Sequence, residues 1–348
     1  MLAVVYQRKG EIKVKDVPVP KIKPDEILLK VRAASICGTD IKIKNSGHFK
    51  YPDEKEIILG HEVSGEIAEV GENLKGSYSK GARISLAPNI GCGVCWQCIN
   101  GQSNYCEDYE AIGISMNGAF SEYMRIPSRY ITQGNIVFLP ETTSFEEASI
   151  GEPLSTVVCS AEAVKIAPPD VVLIIGAGPM GVLHIMMSKL RGAQKVIVSE
   201  INYTRSKQAL DFGADIVVNP QTENLKEIIM NSSYGRGADV IIIAAPSGKA
   251  QEDSLELIAR QGRINFFGGL PKGQDTINFK SNIVHYKQII LTGTTGQSLA
   301  QYRKALEIIT SGSINVDKLI SARYSLKDAE KAFERARSQD VLKVVFNI

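Results

Sequence analysis

Four of the six cysteines fall in one short stretch: Cys92, Cys95 and Cys98 at two-residue gaps, then Cys106 eight positions further on. A tetrahedral Zn2+ takes four soft ligands about 2.3 Å away, and such gaps let one loop curl around the ion and present three sulfurs. Glycines at 91, 93 and 101 permit the tight turns this wrapping needs. The alternative, disulfides among thiols packed so closely, would require strained or strand-crossing bridges. A closed four-cysteine site leaves its metal no open position, so it is expected to hold a loop together and to leave the chemistry to other residues.

A second set of metal-type side chains is scattered. Cys37 stands in Cys-Gly-Thr-Asp after the mostly apolar run Val31 to Ile36, His61 and Glu62 in Leu-Gly-His-Glu, and Glu152 in Gly-Glu-Pro-Leu-Ser. Taken singly, a cysteine or histidine of this kind packs in a core and a glutamate sits in solvent. Together, one Cys, one His and one or two carboxylates would bind Zn2+ and leave a position for water or substrate, which is the catalytic type of site. Glu62 and Glu152 compete for the last protein ligand. Neighbours on a strand point to opposite faces, so His61 and Glu62 reach one ion only if the backbone turns between them.

The other chemical signal is Gly176-Ala-Gly178-Pro179-Met180-Gly181, which follows the apolar run Val171 to Ile175 and opens a helix. In a dinucleotide-binding turn Gly176 permits the turn, Gly178 lets a pyrophosphate approach the backbone, Gly181 lets helix and strand pack closely, and the helix N-terminus favours the anion. Glu200 lies 24 residues after Gly176, near the interval expected of a carboxylate that accepts from ribose hydroxyls and repels a 2′-phosphate. That favours NAD over NADP. Arg205 is placed to pair with Glu200 or stack on adenine, and with Lys207 it is the alternative partner of a phosphate.

These groups need elements to position them. Before about residue 155, short runs rich in Val, Ile and Leu (26–33, 62–70, 82–87) alternate with Gly, Pro, Asn and Asp, which predicts an antiparallel β domain. Beyond it, apolar runs at 171–175, 195–199, 215–218, 239–245, 263–267 and 289–292 alternate with helical patterns at 180–191, at 204–212 and from about 224. That order predicts a doubly wound α/β domain with a parallel sheet. The change of pattern places a domain boundary near residue 155.

Composition removes other classes. The 348 residues carry 40 basic and 38 acidic side chains, a net charge of +2, with no basic stripe interleaved with aromatics, so a nucleic-acid partner is not expected. The apolar runs are far below the roughly 20 residues that cross a bilayer. The first ten residues read as a strand and turn rather than a targeting segment, so a soluble cytoplasmic protein is expected, with no membrane partner.

In order and spacing, Cys37-Gly-Thr-Asp40, Gly60-His-Glu62, the four-cysteine loop, Gly151-Glu-Pro153 and the glycine turn resemble the zinc-dependent medium-chain dehydrogenases over the whole chain. Glu152-Pro-Leu-Ser155 is similar to the polyol (sorbitol) dehydrogenase branch, and the Cys-Gly-Thr-Asp element to threonine dehydrogenases. The resemblance implies a GroES-like antiparallel barrel as catalytic domain (1–155) rejoined by the C-terminal segment (296–348), a Rossmann coenzyme domain (156–295), an active-site cleft between them, two Zn2+ per subunit, NAD, and a homotetramer or dimer. It implies that the catalytic Zn2+ acts as a Lewis acid on the substrate oxygen and that Thr39 takes the alcohol proton. Many relatives carry a histidine where this chain has Lys42, and His48 is the candidate substitute in the relay. The nicotinamide end is expected near Phe266, Phe267, Gly293 and Thr294, where the last parallel strands end. An Arg-Tyr pair frequent in polyol dehydrogenases is replaced by Gly293-Thr-Thr-Gly296-Gln297-Ser298, whose Thr295, Gln297 and Ser298 can bond hydroxyls. The leading expectation is a polyol or sugar alcohol, phosphorylated or not, oxidised to the ketose. The alternative is L-threonine or another secondary alcohol. Lys42, Lys44 and Lys50 are candidate phosphate contacts or simply a solvated basic face.

Overall fold

The structure, a computed structural model, describes residues 1–49 and 55–348, so Lys50 lies outside the described residues. The chain divides into two compact units, Met1–Ser155 with Gly296–Ile348, and Thr156–Thr295.

The first unit is built on β-hairpins. Its larger sheet runs in the order Ile136–Phe138, Arg83–Leu86, Glu62–Val70, Ile27–Ser35, Lys343–Asn347 and Ile320–Tyr324, and Tyr123–Ile126 also pairs with Ile27–Ser35. All these pairings are antiparallel except that between the last two strands. A smaller sheet joins Leu2–Arg8 to Glu11–Asp16 and Ile57–Ile58. The apolar faces meet in one core in which Phe120 stands edge-on to Phe346 at 5.0 Å and to Phe333 at 6.0 Å. The C-terminal strand is part of that core, because Val345 and Phe346 pair with Ser35 and Ala34 of the strand that leads into Cys37.

The second unit is a six-stranded parallel sheet in the order Ile216–Val218, Lys195–Ser199, Val171–Ile175, Ala238–Ile243, Ile258–Phe266, Ile290–Gly293. The middle strands are buried along nearly their whole length, as continuous Val/Ile runs require when helices cover both faces. The strand expected at 263–267 begins earlier, at Ile258, directly after the helix Gly248–Leu257. Arg260 and Gln261 are polar and exposed, and Gln261 has φ +57°, so apolar patterning does not mark this half of the strand.

One glycine decides how the sheet presents the metal-type residues. Gly60 has φ +95°, and a Cβ there would stand 2.5 Å from the ring of Phe120. The chain turns at this point, so His61 lies just outside the strand Glu62–Val70 and does not alternate with Glu62 across the sheet. Gly60→Ala is therefore expected to cost about 2–3 kcal/mol, from the left-handed backbone and the overlap with Phe120 together. Chemical denaturation checks this; an unchanged midpoint would show that the turn tolerates a side chain.

Candidate active site and metal centres

Cys37 leaves the strand Ile27–Ser35 and begins the helix Gly38–Ser46, so strand and helix together fix its direction. The third helical residue, Asp40, is fully buried and accepts a hydrogen bond from the Cys37 N–H at 2.9 Å. Its other oxygen lies 3.5 Å from His61 Nδ1 and 3.4 Å from the Gly60 N–H. One carboxylate thus ties the cysteine, the glycine turn and the histidine together. Thr39 is half-buried at the second position of the same helix.

Glu62 is fully buried at the start of its strand, opposite Ser35. Its Oε2 accepts from Ser35 Oγ and from Lys343 Nζ. Lys343, 4% exposed, also donates to the Ile36 carbonyl at 3.0 Å. Glu62 Oε1 is buried with no partner among the described residues. Ligand atoms of Cys37, His61 and Glu62 all lie within 4.8 Å of one another. Glu152, the second residue of the helix Gly151–Ala163, is outside that trio and accepts from Gln297 Nε2 at 3.2 Å. Glu152 is still close enough to act on Glu62, whose pKa is pushed up to about 7 by burial against the pull of Lys343, with Glu152 adding to the rise.

The trio suits a cation. Burial works against charge on His61, yet Asp40 and Cys37 outweigh it and raise its proton affinity well above the usual value. A field that holds a proton on a buried imidazole also favours a divalent ion. An orphaned carboxylate oxygen, a thiol and an imidazole are zinc's preferred donors.

The four-cysteine loop forms a separate cluster. Its sulfur atoms also lie within 4.8 Å of one another, and every described cysteine is a free thiol rather than a disulfide. Backbone N–H groups point at the sulfurs, from Cys92 to Cys106 Sγ and from Cys95 to Cys92 Sγ, both at 3.2 Å. The Val94 and Cys95 N–H groups hold the Cys92 thiol down to about 6, whereas burial pushes Cys98 up to about 12. Four crowded sulfurs can all be thiolates only with a cation among them, so this loop fits a closed structural metal site.

In the second unit Gly178 precedes the helix Pro179–Leu190, with Pro179 in its first turn, where a missing N–H costs nothing. A Cβ on Gly181 would stand 1.9 Å from the Gly176 carbonyl, so Met180 and Gly181 follow the strand as closely as a dinucleotide turn demands. Glu200 does more than the sequence indicated. It is buried, and its oxygens accept from Ala177 N at 2.7 Å and Asn202 N at 2.8 Å, so it braces the glycine turn. Arg205 lies over Gly178, its Nη1 3.8 Å from where a Cβ would be, and Lys207 lies over the Tyr203 ring. Phe266 ends its strand, Phe267 packs edge-on against His184 at 4.5 Å, and Thr294 donates to Asn265 Oδ1 at 3.2 Å.

Other expected residues have other occupations. His48 is buried, its backbone N–H donates to Tyr6 OH at 3.2 Å, and its ring stacks on Phe49. Lys44 pairs with Glu330, Lys42 is exposed, and Ser298 accepts from Gln301 N as the cap of the helix Leu299–Thr310. Sequence reasoning missed Asp40 and Lys343. Asp40 was visible as the last residue of Cys-Gly-Thr-Asp, whereas nothing local marks Lys343.

This geometry sets the expected outcome of three substitutions. Lys343→Met leaves Glu62 buried without its counter-charge and is expected to lower stability by about 3 kcal/mol, with Lys343→Arg much milder; equal unfolding midpoints for the Lys343→Met variant and the native protein would show that the pair contributes nothing. Cys98→Ser is expected to lower bound zinc by one equivalent and the melting temperature with it, whereas Cys37→Ser is expected to keep the fold and NADH binding but lose turnover. Full zinc content in folded Cys98→Ser protein would contradict the structural role of the loop, and near-native turnover of Cys37→Ser would contradict the catalytic role of Cys37.

Among the described residues no helix is long and apolar enough to cross a membrane. Residues 23–136 match the family model described as the alcohol dehydrogenase GroES-like domain, and residues 179–311 match the zinc-binding dehydrogenase model. The L-threonine 3-dehydrogenase of Pyrococcus horikoshii is 35% identical over 350 residues, covering 99% of this chain and 98% of that protein. The sorbitol dehydrogenase of Bacillus subtilis is 32% identical over 338 residues, covering 97% and 93%. Among solved structures, a protein of Sinorhizobium meliloti bound to NADP superposes with a TM-score of 0.91 at 29% identity, covering 100% of this chain and 99% of that one. The alcohol dehydrogenase TADH of Thermus sp. ATN1 gives 0.89 at 26%, with the same coverage. With such identity over nearly the full length of both proteins, the chain belongs to the zinc-dependent medium-chain alcohol dehydrogenases, with zinc and a nicotinamide dinucleotide as cofactors.

Proposed function

We propose that Cys37, His61 and Glu62 hold the catalytic Zn2+, that Glu152 exchanges with Glu62 as a ligand, and that Cys92, Cys95, Cys98 and Cys106 hold a structural Zn2+. The observation that carries this reading is the buried, unpartnered Oε1 of Glu62 grouped with the Cys37 sulfur and a His61 nitrogen. When bound, Zn2+ supplies Lewis acidity at the alcohol oxygen and NAD+ the hydride acceptor. The chain's own residues do the positioning. Asp40 faces His61 Nδ1 and leaves Nε2 for the metal, in the way outer carboxylates orient ligating imidazoles. Lys343 and Ser35 hold one oxygen of Glu62 and leave the other for coordination. Thr39, two residues after Cys37, takes the alcohol proton.

The substrate we propose is a secondary alcohol whose neighbouring carbon bears a second polar group. L-threonine is the first candidate, supported by the Pyrococcus horikoshii relative and by the free acceptor Gln297 Oε1, which is buried beside Glu152. A sugar alcohol is the second reading, supported by the Bacillus subtilis relative. Of the side chains expected to bind its hydroxyls, Ser298 is committed to a helix cap and Gln297 offers one oxygen. Glu200 favours NAD over NADP, with Arg205 placed for the pyrophosphate. The edge strand Ile290–Gly293, with Ile290 56% exposed and the neighbouring Tyr286 exposed as well, supports a homo-oligomer in which two copies pair along this edge. A cytoplasmic location suits six free thiols.

The test is a panel of L-threonine, sorbitol, 2,3-butanediol and 2-butanol with NAD+ or NADP+, read by reduced-coenzyme absorbance. The expected result is the highest kcat/KM for L-threonine and a preference for NAD+ of about tenfold or more, from a carboxylate placed against the ribose hydroxyls. No oxidation of any secondary alcohol would contradict the reaction. Equal kinetics with NADP+ would contradict the role given to Glu200.

A further inference from the structure

Three fully buried serines, Ser35, Ser64 and Ser85, stand on three adjoining strands of the larger sheet. Ser35 is opposite Glu62, and Ser64 is opposite Ser85. Each serine reaches the helix Phe145–Ser149, which runs into the helix that carries Glu152. Ser64 Oγ donates to the Phe145 carbonyl, Ser85 Oγ lies 3.3 Å from the Ala148 carbonyl, and Ser35 Oγ lies 3.5 Å from that of Ser149. A seam of hydroxyls thus joins the strand of one carboxylate to the approach to the other.

Tyr302, 1% exposed in the helix Leu299–Thr310, extends this seam. Its hydroxyl lies 2.7 Å from Ser85 Oγ, and Ser85 gives its single proton to the Val63 carbonyl at 2.7 Å, so the tyrosine is the donor. Burial raises the Tyr302 pKa, the bond to Ser85 opposes this, and the charges of Glu152 and Glu62 add to the rise, so the phenol keeps the proton it donates. The same helix lies directly on Gly151, where a Cβ would stand 2.8 Å from Leu306 Cδ2 and 3.5 Å from the Tyr302 oxygen. Gln297, from the segment leading into that helix, donates to Glu152 itself at 3.2 Å. Tyr302 therefore meets the backbone beside both carboxylates, through Ser85 to Val63 and by contact with Gly151.

We infer that Tyr302 is a positioning residue of the metal centre, fixing the offset between Glu62 and Glu152 and hence the ease with which one replaces the other. This rests on the function proposed above and deepens it. Exchange of two carboxylates at one position requires both to lie at nearly equal reach, a match that a backbone shift of about 0.5 Å spoils. With the backbone tied beside each of them, side-chain torsions alone carry the exchange. Loss of the tyrosine hydroxyl keeps the packing of its ring but breaks the link between strand and helix.

Tyr302→Phe in the full-length protein tests this, with zinc release followed by a chelating dye and with the visible spectrum of the cobalt-substituted form. The mixed-donor and all-sulfur sites absorb differently, so each is read separately. The variant is expected to release zinc from the mixed-donor site about tenfold faster and to lose about tenfold in kcat, as changes to groups that orient metal ligands do. The cobalt bands of that site shift, while the all-sulfur bands and KM for NAD+ stay as in the native protein. Unchanged release and unchanged bands overturn the inference, and so does equal acceleration at both sites, which marks a general loss of stability. A native protein without a mixed-donor ion overturns the underlying reading, whereas a native mixed site that Tyr302→Phe leaves untouched overturns the inference alone. Should Tyr302→Phe fail to fold, Ser85→Ala breaks the same link from its other end and is held to the same outcomes.

Discussion

A fully buried carboxylate is the constraint around which the catalytic unit is arranged. Glu62 sits in the interior of the larger sheet, where an isolated charge would be expelled or neutralised. Two neighbours make it tolerable: Ser35, directly opposite on the adjoining strand, and Lys343, from the last strand of the chain. That last strand pairs with the one leading to Cys37, so the partner of Glu62 and the cysteine of the trio are set by a single run of backbone pairing. Breaking the register there would expose Glu62 and misplace Cys37 at once. A one-residue slip is strongly resisted, because it would also turn Val344 and Phe346 out of the core.

The same economy of placement appears around His61. Gly60 has a positive φ and packs against the Phe120 ring with no room for a Cβ, and the turn it makes brings two neighbouring residues to one cluster. Asp40 then locks the turn to the helix that begins at Cys37. Cys37 and His61, held this firmly, would lose little order on binding an ion.

What the sequence revealed and what it hid differ in range. The four-cysteine loop, the glycine turn and the parallel strands are local patterns, written within a few residues, and they were legible. So were Cys37, His61 and Glu62 as candidates, although each alone would have passed for a core or surface residue. Lys343 was not legible, because a lysine in an apolar strand is a partner only once that strand lies beside Glu62, 281 positions away in the chain. The bracing role of Glu200 was equally hidden: its spacing from Gly176 makes it a candidate ribose partner and gives no sign that its oxygens take the backbone N–H groups of Ala177 and Asn202. Ser298 and Lys44 offered groups that could bond a substrate, and folding committed them to a helix cap and an ion pair instead. Ladder pairing and capping claim polar groups first, and sequence alone does not show which remain.

The account stands most directly on there being two chemically different metal sites in one chain. Zinc quantification of the purified protein, combined with X-ray absorption at the zinc edge, measures both number and donors. The expected result is two zinc ions per chain, one with an all-sulfur shell from Cys92, Cys95, Cys98 and Cys106 and one with a single sulfur and nitrogen and oxygen donors from Cys37, His61 and Glu62. A single ion with four sulfur donors, and no mixed shell at any zinc concentration, would contradict it.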